Sequence, residues 1–94
     1  MKQTWIVVVT LMSLACAGPA LASEALAKAN GCMNCHAVDT KKVGPSFKDI
    51  AARFKGKADA EQTLVANISS GKGHPASKAS PADLKAIVGW VLTQ

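Results

Sequence analysis

The five residues Cys32-Met33-Asn34-Cys35-His36 set narrow limits on what can be built around them. The chain's third cysteine, Cys16, lies in an apolar N-terminal run that reads as an export signal, so Cys32 and Cys35 have only each other as covalent partners. A bridge between residues so close in sequence restricts the unfolded chain little. In an oxidising compartment two such thiols nevertheless become a disulfide unless another group claims them.

Lys2, the apolar stretch Trp5 to Leu14, and Gly18-Pro19 before Ala20-Leu21-Ala22 match the basic start, apolar centre and small-residue cleavage site of a secretory signal. Cleavage is expected after Ala22, which makes residues 1–22 the signal and 23–94 the working domain. The apolar stretch, interrupted by Ser13, is shorter than the roughly 20 residues a spanning helix needs. Ser13 also stands where a lipidation signal for Cys16 would carry a large aliphatic residue. Removing residues 1–22 takes away one lysine, and ten basic residues then face six acidic ones. A mildly basic chain with no basic run and few aromatics is a poor nucleic-acid binder. Such charge suits steering toward an acidic protein partner.

The working domain carries sixteen large apolar residues, from Leu26 to Leu92. A core of this size seldom supplies more than about 3–5 kcal/mol of net stability, so the domain needs a bound group that adds apolar volume. Spacing predicts an all-α fold, with no alternating stretch long enough for a strand. A first helix is expected over residues 24–30, closed by Gly31. Ser46 caps a second with Phe47, Ile50 and Phe54 on one face, and Asp59 with Gln62 reads as a capping box for a third with Leu64, Val65 and Ile68. Ser80, Pro81 and Asp83 start a fourth that is expected to reach the C-terminus, with Leu84, Ile87, Val88, Val91 and Leu92 on its apolar side.

Cys-x-x-Cys-His is the attachment signature of c-type haem. Two thiols at this spacing can each add to one vinyl group of a porphyrin, and the adjacent histidine then comes up under the iron. Structural zinc would want four nitrogen or sulfur ligands, commonly from two separated pairs, and this chain offers only one cysteine pair and one spare histidine. A thioredoxin-like redox pair belongs after a strand in an α/β fold. A plain disulfide is the remaining competitor.

From about Glu24 to Thr93 the chain resembles a small bacterial class I cytochrome c: a helix leading into Cys32-Met33-Asn34-Cys35-His36, the turn Val43-Gly44-Pro45, and a last helix bearing Trp90-Val91-Leu92. The resemblance implies about four short helices around one covalently bound haem. It also implies a hydrogen bond from the His36 imidazole to the Pro45 carbonyl, and close packing of Ala27 on Trp90. The chain departs from the family at the distal side of the iron, where a methionine is usual. Its methionines are Met1, Met12 and Met33, and Met33 is held between the anchoring cysteines. His74, between Gly73 and Pro75, stands where that ligand would be and is expected to replace it; Lys72, Lys78 or an open position are the alternatives. The loop tryptophan that would serve a haem propionate is missing too, which makes Arg53, Lys55 and Lys57 candidates beside their plain reading as a solvated cationic face.

The function expected from this set is a periplasmic one-electron carrier rather than an enzyme, with a potential lowered by paired imidazoles. Its redox partners are expected to present acidic surfaces to Lys41, Lys42, Lys72 and Lys78, with no membrane insertion after signal cleavage. A haem sensor or gas binder with a displaceable distal ligand is the rival reading. A small peroxidase would want a distal acid–base pair that the residues do not supply.

Overall fold

Helices form where caps and apolar spacing call for them: α1 (Pro19–Ala29), α2 (Phe47–Phe54), α3 (Ala60–Ser70) and α4 (Pro81–Val91), with a 3-10 turn at Cys32–Asn34 between α1 and α2. The computed structural model describes residues 19–94, with side chains from residue 22. The signal expected over residues 1–22 therefore lies outside the described residues except for its last four. Those four belong to α1, so the helix expected to start at Glu24 already includes the described residues ahead of it.

Two caps match expectation. Ser46 Oγ accepts from the Asp49 N–H at 3.1 Å, and Ser80 Oγ accepts from the Asp83 N–H at 3.2 Å. The expected capping box of α3 is corrected: Asp59 precedes the helix without a side-chain capping bond, its backbone at φ −96° and ψ 6° instead of the extended region from which a cap reaches inward. The last helix also stops short of the C-terminus, at Val91, because the Thr93 hydroxyl and the Gln94 amide turn back onto the Trp90 carbonyl.

Helix α4 packs against α1, α2 and α3. Ala27 of α1 is fully buried in one cluster with Phe47, Ile87, Trp90 and Val91, as the expected pairing of a small residue with Trp90 requires. Phe47 and Trp90 meet edge to face, ring centroids 5.4 Å apart at 77°, a geometry favoured by the aromatic quadrupoles. Met33 and Val38 complete this cluster from the loop side. The other side of α4, with Leu84 and Val88, faces a cavity. Among the described residues the only β pairing is an isolated bridge between His36 and Lys41, and no helix is long and apolar enough to cross a membrane.

Candidate cofactor site

A cavity of about 590 Å³ opens between the 3-10 turn, the 43–45 loop, α2, α3, the 72–77 loop and α4. Its walls are largely aliphatic and aromatic, with Ile50 and Phe54 from α2, Leu64 and Ile68 from α3, and Leu84 and Val88 from α4. Sites for organic cofactors typically enclose ~300–1,000 Å³ and are lined in this way. The α3 stripe is half-buried, and its Leu64 and Ile68 line this cavity instead of a sealed core, while Val65 does not line it.

Gly31 turns the chain out of α1 at φ 78°, a left-handed value that residues with a Cβ adopt at a cost. The turn closes by donation from the Cys35 and His36 N–H groups to the Cys32 carbonyl, at 3.2 and 3.0 Å. Both cysteines consequently line the cavity. They are not bonded to each other. Burial pushes the Cys32 thiol pKa up, which keeps it as S–H, while Cys35 is exposed. Lys42 Nζ donates to the Met33 carbonyl at 3.0 Å and holds the outside of the turn. Met33 packs on the core and is not among the cavity-lining residues.

The His36 imidazole is held on several sides. Its Nδ1 donates to the Pro45 carbonyl at 2.6 Å, Gly44 lies directly against the ring, and Phe47 stacks beside it with centroids 5.2 Å apart at 23°. A carbonyl only accepts, so Nδ1 carries the proton and Nε2 keeps its lone pair. His74, half-buried at the opposite side, repeats the arrangement: its Nδ1 donates to the Pro75 carbonyl at 2.7 Å.

The two imidazoles lie 6.1 Å apart between ring centroids, with planes 2° from parallel. With each Nδ1 turned to a backbone carbonyl, each ring keeps a free Nε2 that could ligate a metal held in the cavity, at the usual imidazole distance of about 2.0–2.1 Å. Among the described residues no group of three or more His, Cys, Asp or Glu could hold a metal. Two imidazoles alone would leave a bare ion under-coordinated, yet they are what an ion already held in a planar four-nitrogen ring needs. The donor set, the apolar walls and the paired cysteines therefore fit a haem.

Of the residues expected around such a group, Lys72 lines the cavity and Lys78 does not. Arg53 also lines it, whereas Lys55 and Lys57 line a separate cleft and Lys57 lies over the Phe54 ring, 5.4 Å from its centroid. That correction has a simple origin: successive positions on a short helix and its exit point in different directions. The stacking of Phe47 on His36 and the Lys42 clamp were not legible locally, since each joins residues whose approach depends on the fold, and the His74–Pro75 bond, though between neighbours, needs a loop bend that the residue types alone do not announce.

The family model for cytochrome c matches residues 20–94. Cytochrome c-552 of Nitrosomonas europaea is 41% identical over 101 residues, covering 99% of this chain and 98% of the relative. Cytochrome c-551 of Pseudomonas aeruginosa is 39% identical over 98 residues, covering 89% and 94%. Among solved structures, the class 1 cytochrome MtoD of Sideroxydans lithotrophicus ES-1 matches with a TM-score of 0.66 at 38% identity, over 77% of this chain and 91% of that one. The chain belongs to the cytochrome c family, as a small helical class I member. Its cofactor is one covalently attached haem c, and its family is that of mono-haem electron carriers.

Proposed function

We propose that this chain is a periplasmic electron carrier in which Cys32 and Cys35 carry the haem through thioether bonds and His36 and His74 are the axial ligands, at a potential below that of a histidine–methionine pair. The observation that carries the ligand assignment is the parallel approach of the two imidazoles, 6.1 Å between centroids. When bound, the haem supplies reversible one-electron chemistry at iron. Everything else is the work of side chains: the aliphatic walls exclude water, and His36 is held in one tautomer by Pro45. Neutral imidazoles on both sides favour ferric iron more than a thioether does. Export by a signal over residues 1–22 supports the periplasmic location, where the reduced partners of a soluble carrier are met.

Docking follows from the cavity mouth. Val43 is 82% exposed there, an apolar contact flanked by the exposed Lys41 and Lys42, with exposed Lys72 on the same rim. An acidic partner surface fits this patch. Absorption and resonance Raman spectra of the purified protein test the reading. Low-spin iron in both states, without a methionine-to-iron band, and conversion to high spin in His74→Ala are expected. Unchanged spectra in that variant would remove His74 as the ligand. Rapid carbon monoxide binding by the reduced wild-type protein would replace the carrier with a gas binder.

A further inference from the structure

We infer that Pro75, through its backbone carbonyl, is the positioning residue for His74, so that the two axial imidazoles stand with nearly parallel planes, each with its proton locked on Nδ1. The inference rests on the ligand assignment above and adds to it the tautomer and mutual orientation of the ligands.

Each ring is restrained by its own stretch of backbone. His36 is fixed by the Pro45 carbonyl at 2.6 Å, by Gly44 and by Phe47. His74 is fixed by the Pro75 carbonyl at 2.7 Å, and the proline ring limits where that carbonyl can point by locking φ. The residue before a proline is itself biased to extended backbone, which narrows the choices for His74 as well. From these separate restraints the planes arrive within 2° of parallel. Because both Nδ1 atoms face acceptors, both Nε2 lone pairs are free in a single tautomer. A donor bond of this kind also raises the basicity of a ligating imidazole, which favours ferric iron.

Orientation has its own physical signature. Two imidazoles with parallel planes donate into the same iron d orbital and split it from its partner, giving a rhombic ferric electron paramagnetic resonance spectrum with three resolved features. Crossed planes leave the two orbitals nearly degenerate and give one feature at very large g. The test records this spectrum for the intact ferric protein, for His74→Ala and for Pro75→Gly. Nitrogen-15 spectra of the histidine rings in the ferrous protein accompany it, and far-UV circular dichroism confirms the fold. A rhombic wild-type spectrum, with two slowly exchanging Nδ1–H protons, is expected. Pro75→Gly should broaden it toward the large-g form, speed exchange of the His74 proton about two- to tenfold and raise the potential. Pro75→Ala, which keeps the carbonyl with a less free backbone, should restore part of each effect. A large-g wild-type spectrum would overturn the orientation while leaving both ligands in place. Pro75→Gly spectra and exchange identical to wild type would overturn the role of Pro75. Wild-type iron that is high-spin, or unaltered by His74→Ala, would remove the ligand assignment and this inference together.

Discussion

The His36 imidazole lies so close to Gly44 that a Cβ on that glycine would stand 2.5 Å from the ring's Cε1 and 2.9 Å from its Nδ1. No side chain larger than hydrogen fits. The Gly44 N–H also donates to the Cys35 carbonyl at 2.7 Å, and Pro45 next to it accepts from the imidazole. The Val43-Gly44-Pro45 turn is therefore a seat for one ring, tied back to the attachment turn.

Gly44→Ala should force the imidazole off the Pro45 carbonyl or move the turn. Overpacking of this kind costs about 1–3 kcal/mol. Denaturant melts should show that loss, and the ferric absorption spectrum should shift with it. Wild-type stability and spectrum together would contradict the close approach.

Phe47 is 3% exposed and bridges the site to the core, stacking on His36 and meeting Trp90 edge to face. Phe47→Ala should lose about 3–5 kcal/mol, the usual range for a buried aromatic. Phe47→Leu should recover much of the stability but less of the wild-type iron spectrum, because it fills volume without offering a flat face. Equal recovery of both would show that ring stacking does not help to orient His36.

Without haem, Phe54, Leu64 and Ile68 line a cavity of about 590 Å³, and the apolar surface that a bound group would cover stays open to water. The double variant Cys32→Ala/Cys35→Ala, purified free of haem, should lose most of its helical circular dichroism at 25 °C. A cooperative melt with native helix content would show that the protein core suffices alone.

Helix caps offer a paired comparison. Ser80 makes its capping bond, and Asp59 makes none. Ser80→Ala should cost about 0.5–2 kcal/mol, and Asp59→Ala should stay within ~0.5 kcal/mol of wild type. Chemical denaturation of the holoprotein measures both, and a reversed order would mean that the two helix starts are exchanged in importance.

Electron transfer to an acidic partner should slow as salt rises, since exposed charges are screened over about 8–10 Å near physiological ionic strength. Lys72→Glu, at the cavity rim, should flatten that dependence more than Lys78→Glu, which lies off it. Stopped-flow rates across a salt series would show the difference. Equal effects would mean that net charge acts, and not its placement.

Much of this protein is written in short stretches of chain. The helix starts at Ser46 and Ser80, the turn at Gly31 and the Cys32-Met33-Asn34-Cys35-His36 window act through neighbours a few residues away, so their residue types suffice to announce them. The Pro45–His36 bond was expected through family resemblance, and the fold supplies its 2.6 Å length. Other features required the fold itself. Asp59 has the right chemistry for a cap but the wrong backbone, and Leu64 and Ile68 of α3's apolar stripe line the cavity instead of a sealed core. The meeting of His36 and His74 in parallel planes depends on loops remote in sequence being held by the same packed helices. Local preference decides how each loop bends, but only the packing around α4 decides where two bent loops place their rings.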